Sequence, residues 1–321
     1  MPYAVHVPQA GGPEALERTQ LTLPEPGPGE LLVEVAAVGV NFIETYQRSG
    51  IYPVEYPFVP GSEFAGTVAA VGDGVEEFAV GDRVATAEAE GAYASHVLLE
   101  AERAVRVPDG VDLQTAAAVP LQGFTAHYLV HSTYEVREGD VVLTYAGAGG
   151  VGGLLTQMLK RVGATVITTT STAEKARLAA EAGADHVVGY SEVEATVDEV
   201  TRGRGVDVVY DGVGKATFET SLAALRKRGT LVLFGGASGQ VPPFDLQRLN
   251  AAGSLFVTRP KLADHLLDAD ERAWRGRDVF GQVAAGELTV RIGGVYPLEE
   301  AGRAHADLES RNTTGKLVLV P

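Results

Sequence analysis

A cluster of glycines between a strand pattern and a helical pattern constrains this chain more than any other feature. Residues 141–145 form an apolar run typical of a buried strand, the sequence GAGGVG occupies 147–152, and a helical pattern follows over 154–162. Glycines let the backbone turn sharply and approach a pyrophosphate, whose charge meets the free amides and the positive dipole end of the helix. A plain strand-to-helix turn needs one or two glycines, so four here predict a dinucleotide site in 141–175.

The hydrophobic pattern changes its period along the chain. The first third shows short strands with turn residues between them, and from about residue 121 apolar runs alternate with helical stretches. Such alternation predicts a doubly wound parallel sheet of six strands, and the first third predicts a β-rich lobe. The strands predicted in the lobe are 31–40, 64–71 and 83–86; those of the sheet are 141–145, 165–169, 186–188, 206–210, 230–234 and 254–258.

After residue 262 the pattern returns to that of the first lobe. It predicts a helix, a strand at 288–292, a second helix near 299–310 and a last strand at 316–320. We therefore expect an α/β protein with a β-rich catalytic lobe at 1–121, a dinucleotide-binding domain at 122–262, and a return to the lobe at 263–321.

Charge and composition exclude several classes of function. The formal net charge of -16 would repel nucleic acid and anionic membranes, so we expect neither as a partner. The absence of cysteine removes disulfides, thiolate nucleophiles and thiolate metal ligands. We find no signal-peptide pattern and no long uncharged apolar window, and we expect a cytoplasmic location.

The segment after the second sheet strand bears on the choice of cofactor. An acidic residue at this point would bind the free 2′-hydroxyl of NADH, whereas this chain has Thr170, Ser171 and Thr172 followed by Glu174 and Lys175. Hydroxyl groups and a lysine favour the 2′-phosphate of NADPH. Two alternatives stay open: Thr172 caps the next helix while Lys175 is a solvated first-turn residue, or Glu174 serves NADH.

Seven short motifs in order resemble the zinc-independent quinone oxidoreductases, the zeta-crystallin-like branch of the medium-chain dehydrogenase/reductase superfamily. The resemblance extends over nearly the whole chain. The motifs are VNFIETY at 40–46, PGSE at 60–63, GDRV at 81–84, LQGFTA at 121–126, AGGVG at 148–152, YDGVG at 210–214 and TRP at 258–260.

This resemblance implies a GroES-like catalytic lobe and a Rossmann domain, with the nicotinamide in the cleft between them. It places Asn41 and Thr125 near the nicotinamide and the glycines on the pyrophosphate. It puts Ser171, Lys175, Tyr190 and Arg311 around the adenosine phosphate. The full set of cofactor-binding residues that it implies is Asn41, Thr125, Gly149, Gly150, Val151, Gly152, Ser171, Lys175, Tyr190, Val213, Phe234, Gly235, Ser238, Phe256, Val257 and Arg311.

The resemblance also bears on metal binding. Zinc-dependent relatives carry a cysteine at the position of Asn41, a histidine at the position of Ser62, and a four-cysteine loop that this chain lacks. His127 and His131 are four residues apart on a helical stretch, but without a third ligand we interpret them as ordinary helix-face residues. We expect no metal.

A quinone accepts a hydride without a Lewis acid, so the protein has mainly to orient it and exclude water. We predict an NADPH:quinone oxidoreductase whose reaction site includes Asn41, Tyr46, Tyr52 and Thr125. Asn41 could bond an acceptor oxygen or a ribose, and the tyrosines could stack on a flat substrate or serve as loop packing. For Glu63 we favour a structural carboxylate paired with an arginine over a role in the pocket.

Two other functions stay open. A reductase of activated alkenes, such as enals or enones, would share the fold and NADPH but would need a proton donor near the substrate α-carbon. A non-enzymatic role, as a crystallin-like component or an RNA binder, is the second, and the acidic charge opposes RNA binding.

Because 254–258 would be an edge strand that needs a cover, we also expect a homodimer.

Overall fold

The computed structural model describes residues 1–310 and 312–321, which form two compact units. Unit 1 comprises Met1–Phe124 and Leu266–Pro321, and unit 2 comprises Thr125–His265. Unit 2 is thus inserted into unit 1 along the chain. The domain ranges derived from the sequence, 1–121, 122–262 and 263–321, stay a prediction. Arg311, predicted to bind the cofactor, lies outside the described residues.

The helices and strands follow one another along the chain. The first part contains β1 (Tyr3–His6), β2 (Glu17–Gln20), β3 (Glu30–Val40), α1 (Phe42–Arg48), β4 (Phe64–Val71), β5 (Arg83–Thr86), β6 (His96–Glu100), β7 (Val105–Arg106), α2 (Leu113–Ala117) and α3 (Pro120–Tyr128). The middle part contains β8 (Val141–Thr144), α4 (Gly150–Val162), β9 (Thr165–Thr169), α5 (Ala173–Glu181), β10 (His186–Val188), α6 (Val193–Thr201), β11 (Val206–Asp211), α7 (Phe218–Ala223), β12 (Leu225–Leu233), α8 (Gln247–Ala251) and β13 (Phe256–Thr258). The last part contains α9 (Ala269–Ala284), β14 (Ile292–Pro297), α10 (Ala301–Glu309) and β15 (Lys316–Val320).

Unit 2 is built on a parallel sheet of six strands in the order β10-β9-β8-β11-β12-β13. Every residue of β11, in the middle of the sheet, is buried, as expected of a parallel strand that is covered on both faces. The order of the strands reverses between β8 and β11. In open sheets of this type, ligands bind outside the carboxyl ends of the strands at such a switch point. The predicted doubly wound sheet is confirmed.

Unit 1 contains a larger sheet in the order β14-β15-β3-β4-β5-β7, with β6 also paired to β3. All these pairs are antiparallel except β14 with β15, and β15 pairs with the end of β3 through Leu317 and Val40. The last strand of the chain therefore lies beside the strand that leads into helix α1. The predicted β-rich lobe is confirmed.

One predicted strand, 288–292, is wrong. The backbone N–H groups of Glu287 and Leu288 donate to the carbonyl of Gln282 at 2.8 and 3.1 Å, and Gly286 has a left-handed φ of 71°. Donors used to end helix α9 cannot join a sheet, so the strand begins only at Ile292. Leu288 is apolar because it is buried in the core.

Two of the elements begin at least four residues earlier in the structure than predicted. Helix α4 begins at Gly150 instead of residue 154, because the glycine cluster itself forms its first turn. Strand β12 begins at Leu225 instead of residue 230, although its first part is charged; it pairs there with Val206 before an irregularity in register.

Candidate functional site

The glycine-rich turn of unit 2 connects β8 to α4 in a conformation that larger residues would obstruct. Ala146 takes a left-handed φ of 57°, and a Cβ on Gly152 would lie 2.3 Å from the Ala146 carbonyl oxygen. A Cβ on Gly147 would lie 2.5 Å from the Thr168 hydroxyl. Strand, turn and helix therefore approach one another as closely as a pyrophosphate-binding turn requires.

The N-terminus of α4 has the character of an anion site. Its N-cap is Gly149, no side chain caps it, and no acidic residue stands in its first turn. The first amides of a helix have no partner inside it, and they add to the positive end of the dipole. At this end of the sheet, next to the switch point, these groups fit a diphosphate.

The ends of β9 and β10 carry the groups predicted to meet an adenosine phosphate. Thr172 caps α5 by accepting from the backbone N–H of Lys175 at 3.2 Å, Ser171 is exposed, and Lys175 is half-buried. Thr172 therefore caps helix α5, which is one of the two alternatives to phosphate binding considered from the sequence. The exposed ring of Tyr190 stacks on Tyr145, with ring centroids 5.9 Å apart and an angle of 23°.

The end of β11, beside the switch point, is organised by the buried carboxylate of Asp211. Its Oδ1 accepts from the backbone amides of Val213 and Gly214 at 2.8 and 2.9 Å. The Thr217 hydroxyl lies within 2.9 Å of both of its oxygens, and Ser221 donates to Oδ2 at 2.7 Å. Asp211 therefore fixes the loop that carries Val213, which was predicted to bind the cofactor.

Donor counting extends this network to Tyr145. Ser221 has one hydroxyl hydrogen, which goes to the carboxylate of Asp211, so the Tyr145 hydroxyl 3.1 Å away donates to Ser221. Burial raises the pKa of Tyr145, which keeps this donor protonated. The network thus connects the loop after β11 with the tyrosine stack.

The ends of β12 and β13 supply the other residues predicted in unit 2. A Cβ on Gly235 would lie 2.4 Å from the carbonyl oxygen of Gly212, so the two strand ends can approach only with glycine. The hydroxyl of Ser238 donates to the carbonyl of Val213 at 2.8 Å, and Phe234 is half-buried at the end of β12. Phe256 and Val257 lie on the edge strand β13, with 61% and 39% of their surface exposed.

Unit 1 contains a buried network around Asn41, the residue before α1. The Asn41 carboxamide donates from Nδ2 to Glu63 Oε2 at 3.0 Å and to the Gly39 carbonyl at 3.3 Å, and its Oδ1 accepts from Lys316 Nζ at 2.5 Å. Lys316 Nζ also bonds Glu63 Oε2 at 2.5 Å. Both hydrogens of the amide are used, so the carboxamide can offer a ligand only the remaining lone pair of its oxygen.

The prediction that Glu63 pairs with an arginine is wrong. The carboxylate is structural, as expected, but it pairs with Lys316 and not with an arginine, and its Oε1 accepts from the backbone N–H of Leu121 at 2.7 Å. Both Lys316 and Glu63 are at most 1% exposed. Because β15 lies beside β3, a lysine at the first position of β15 reaches a carboxylate 253 residues earlier in the chain.

A second carboxyl group, Glu44, lies in the same region of unit 1. Its Oε2 accepts from the backbone N–H of Asn41 at 2.6 Å, and the Ser62 hydroxyl lies 3.4 Å from its Oε1. Burial raises the pKa of Glu44 to about 7, against the opposing attraction of the Lys316 ammonium. Glu44 therefore changes its protonation near neutral pH.

A separate buried network joins α1 to α10. Arg48 donates to Nδ1 of His305 at 3.0 Å and to Glu309 at 2.8 Å. Since arginine cannot accept, Nδ1 is the acceptor and Nε2 carries the hydrogen that faces the Tyr93 hydroxyl at 2.8 Å. Burial and the charge of Arg48 lower the pKa of His305 to about 3, so the imidazole is neutral and structural.

The remaining predicted residues of the reaction site lie on α1, after it, and on α3. The rings of Tyr46 and Tyr52 contact each other with centroids 5.4 Å apart, and the backbone N–H of Tyr52 donates to the Tyr46 carbonyl. Both rings are half-buried, so part of each surface is open. Thr125, within α3, is buried at 7% exposure.

Sequence reasoning missed Lys316, Glu44, Asp211 and Tyr145. A signal was present for two of them: Lys316 is the charged residue that begins the strand KLVLV, and Asp211 is the charged residue that ends the buried strand VDVVYD. A charge at the end of a buried strand indicates a buried partner or a ligand, because it would otherwise be placed in a turn.

Comparison with known proteins agrees with this architecture. The family described as "Alcohol dehydrogenase GroES-like domain" matches residues 27–136, and the family described as "Zinc-binding dehydrogenase" matches residues 150–269. A quinone oxidoreductase of Pseudomonas aeruginosa is 47% identical over 318 residues, which is 97% of each chain. The chain belongs to the quinone oxidoreductase family. Like other members of this family, it is part of the medium-chain dehydrogenase/reductase superfamily.

Two further similar proteins bear on the cofactor and on the substrate. A mycobacterial protein solved in complex with NADPH is 51% identical and superposes with a TM-score of 0.96, covering 99% of this chain and 100% of that one. A 2-haloacrylate reductase of a Burkholderia species is 40% identical over 331 residues, covering 100% of this chain and 99% of that one. Both relatives therefore match the chain over its whole length.

None of the described helices combines the length and apolar character that a membrane-spanning helix requires.

Proposed function

We propose that this protein is an NADPH-dependent quinone reductase that works without a metal. The observation that carries the proposal is the glycine-rich turn of unit 2, which leads into the uncapped N-terminus of α4 beside the switch point of the sheet. That arrangement fits the diphosphate of a dinucleotide, and Gly149, Gly150, Val151 and Gly152 would hold it. The related mycobacterial structure with NADPH and the curated quinone oxidoreductases support cofactor and substrate class.

The adenosine end of NADPH would be bound at the ends of β9 and β10. No acidic residue follows β9 directly, and Ser171 and Lys175 offer a hydroxyl and a positive charge to a 2′-phosphate. Tyr190, stacked on Tyr145, offers an aromatic face. Arg311 belongs to the same proposed set.

The rest of the cofactor would follow the later strand ends. Val213 is held there by Asp211, and the close approach of Gly235 to Gly212 brings the ends of β11 and β12 together. The proposal also includes, at these ends, Phe234, Ser238, Phe256 and Val257.

Independence from zinc has electrostatic support in unit 1. Oxygen atoms of Asn41 and Glu63 could in principle be ligands, but both already bond the ammonium of Lys316 at 2.5 Å. A divalent ion on either oxygen would face a full positive charge a few ångströms away in a buried, weakly screened place. The chain also has no cysteine. We therefore propose that the internal cation Lys316 occupies the place of a metal charge.

Bound NADPH supplies the hydride, and the residues of the chain orient the reactants. Asn41, whose amide hydrogens are both used, would accept a hydrogen bond from a ribose hydroxyl and would not donate to the quinone. Thr125 is also proposed to contact the nicotinamide. The open parts of Tyr46 and Tyr52 would stack on a flat acceptor. A quinone needs no Lewis acid, since the two electrons restore its aromatic ring.

We further propose a cytoplasmic homodimer. The edge strand β13 leaves Phe256 and Val257 exposed with an unpaired backbone edge, which a second copy would cover. Native mass spectrometry should give the mass of two chains, and a monomer at all concentrations would contradict the pairing.

Steady-state assays with NADPH test the function. We expect turnover of 1,4-naphthoquinone and benzoquinone, a much lower rate with NADH, and unchanged rates after dialysis against a chelator. Loss of activity on chelation would disprove metal independence. Rates without any quinone dependence would disprove quinone reduction.

Reduction of activated alkenes is the second candidate, because a 2-haloacrylate reductase is 40% identical over the whole chain. Parallel assays with alkenals and 2-haloacrylate discriminate between the two. Rapid turnover of these alkenes with no quinone turnover would replace our proposal. The remote non-enzymatic alternative predicts that RNA retards the protein in a gel at low salt, which the net charge of -16 opposes.

A further inference from the structure

The ammonium of Lys316 is buried in contact with Asn41, a residue of the proposed reaction site. The side chain is 1% exposed, and Nζ bonds Glu63 Oε2 and Asn41 Oδ1, each at 2.5 Å. Burying an ammonium group is costly unless hydrogen-bonded partners compensate, so an unspecific packing role would be served better by methionine or leucine.

The position of this ammonium is fixed by groups outside β15. Glu63 is anchored through its other oxygen by the backbone N–H of Leu121, at the start of α3, at 2.7 Å. Glu63 stands directly before β4, and Lys316 is the first residue of β15. The charge is therefore held by three separate elements of unit 1.

Lys316 and Glu63 together determine which way the Asn41 carboxamide faces. The positive ammonium contacts its oxygen, and the negative carboxylate accepts from its nitrogen at 3.0 Å. In a flipped amide the NH₂ group would face the ammonium and the oxygen would face the carboxylate. Two donors would then oppose each other, and so would two acceptors, which is strongly unfavourable in a buried site. The pair thus selects one of two orientations that are nearly equal in shape.

We propose that Lys316 is a positioning residue for cofactor binding: it orients the Asn41 carboxamide so that Asn41 presents only an acceptor to its ligand. The ligand group that fits this acceptor is a hydroxyl, and in a nicotinamide dinucleotide that group belongs to the ribose. The inference rests on the proposed function in that it takes NADPH as the ligand of this site.

The test measures cofactor binding directly. Fluorescence titration gives the dissociation constants of NADPH and of adenosine 2′,5′-bisphosphate, which lacks the nicotinamide ribose, for the wild type and for Lys316→Met, Asn41→Ala and the double variant. We expect Lys316→Met to weaken NADPH about tenfold, the size of one hydrogen bond to a ligand, and to leave the bisphosphate unchanged.

The double variant separates positioning from general damage. If Lys316 acts through Asn41, adding Lys316→Met to Asn41→Ala should weaken NADPH less than twofold further. Lys316→Arg, which keeps the charge, should restore binding to within about threefold. An undiminished effect in the Asn41→Ala background, or an equal loss of bisphosphate binding, would overturn the proposal.

A lone buried Glu63 could prevent Lys316→Met from folding. The variant Glu63→Gln/Lys316→Met removes both charges together and leaves no unpaired ion, so it should fold and show the same selective loss of NADPH. Wild-type binding of NADPH in this double variant would refute Lys316 as a positioning residue. If the wild type binds NADPH but reduces no quinone, the proposed substrate fails and the role of Lys316 stands.

Discussion

The protonation of Glu44 gives the sharpest prediction about stability. The carboxyl is fully buried, and its pKa is raised from 4.5 to about 7 chiefly by burial. Glu44→Gln keeps the shape and the hydrogen bond from the Asn41 backbone N–H, since glutamine at the third helical position can still accept it, but it cannot ionise. The variant should therefore differ from the wild type only in how its stability depends on pH.

The sign follows from which state holds the proton. Between pH 4.5 and 7 the folded wild type keeps the Glu44 proton and the unfolded chain has lost it, so wild-type stability decreases as pH rises through this window. Moving the pKa from 4.5 to about 7 corresponds, at about 1.4 kcal/mol per pH unit, to a total of about 3.5 kcal/mol. About 2.5 kcal/mol of this should develop between pH 5 and pH 8.

Urea unfolding followed by fluorescence measures this effect. The chain has a single tryptophan, Trp274 in α9, so its emission reports on unit 1. The quantity to plot is the unfolding free energy of Glu44→Gln minus that of the wild type. His305 also titrates on unfolding, but it is present in both proteins and its contribution cancels in the difference.

We expect the difference to increase steadily from pH 5 to pH 8 in favour of the variant. A difference that changes by less than about 0.5 kcal/mol would show that Glu44 is ionised in the folded state throughout this range. The attraction of the Lys316 ammonium would then outweigh the effect of burial on the Glu44 carboxyl.

Three further predictions concern unit 2. Gly152→Ala should weaken NADPH at least tenfold, because its Cβ would lie 2.3 Å from the Ala146 carbonyl oxygen, whereas the control Gly153→Ala, whose nearest neighbour is 3.7 Å away, should bind normally. Asp211→Asn should lower the melting temperature of unit 2 and weaken NADPH, since an amide cannot accept all the donors on that carboxylate; unchanged calorimetry and titration would contradict this. Lys175→Glu should weaken NADPH more than NADH in the same titration, and equal weakening of both would remove its assigned role.

The sequence by itself determined the nucleotide-binding unit. A buried strand, a glycine cluster and a helix are contiguous, and the contact that requires glycine at position 152 is with the carbonyl oxygen of Ala146, only six residues earlier. Periodicity likewise placed the strands Phe64–Val71, Arg83–Thr86 and Thr165–Thr169 at their observed bounds, because alternation and continuous apolar runs reflect local burial. It failed at 288–292, where an apolar residue is buried without joining a sheet.

Only the tertiary structure decided which distant residues contact one another in the site of unit 1. Asn41, Glu63 and Lys316 are 22 and 253 residues apart, and nothing local in any of the three segments indicates the other two. The pairing of β15 with β3 brings them together. The same packing raises the pKa of Glu44, because burial is a property of the surroundings and not of the sequence around the carboxyl. Features that depend on neighbouring residues, such as the glycine-rich turn, can be predicted from the sequence. Electrostatic interactions between distant segments arise only once the chain has folded.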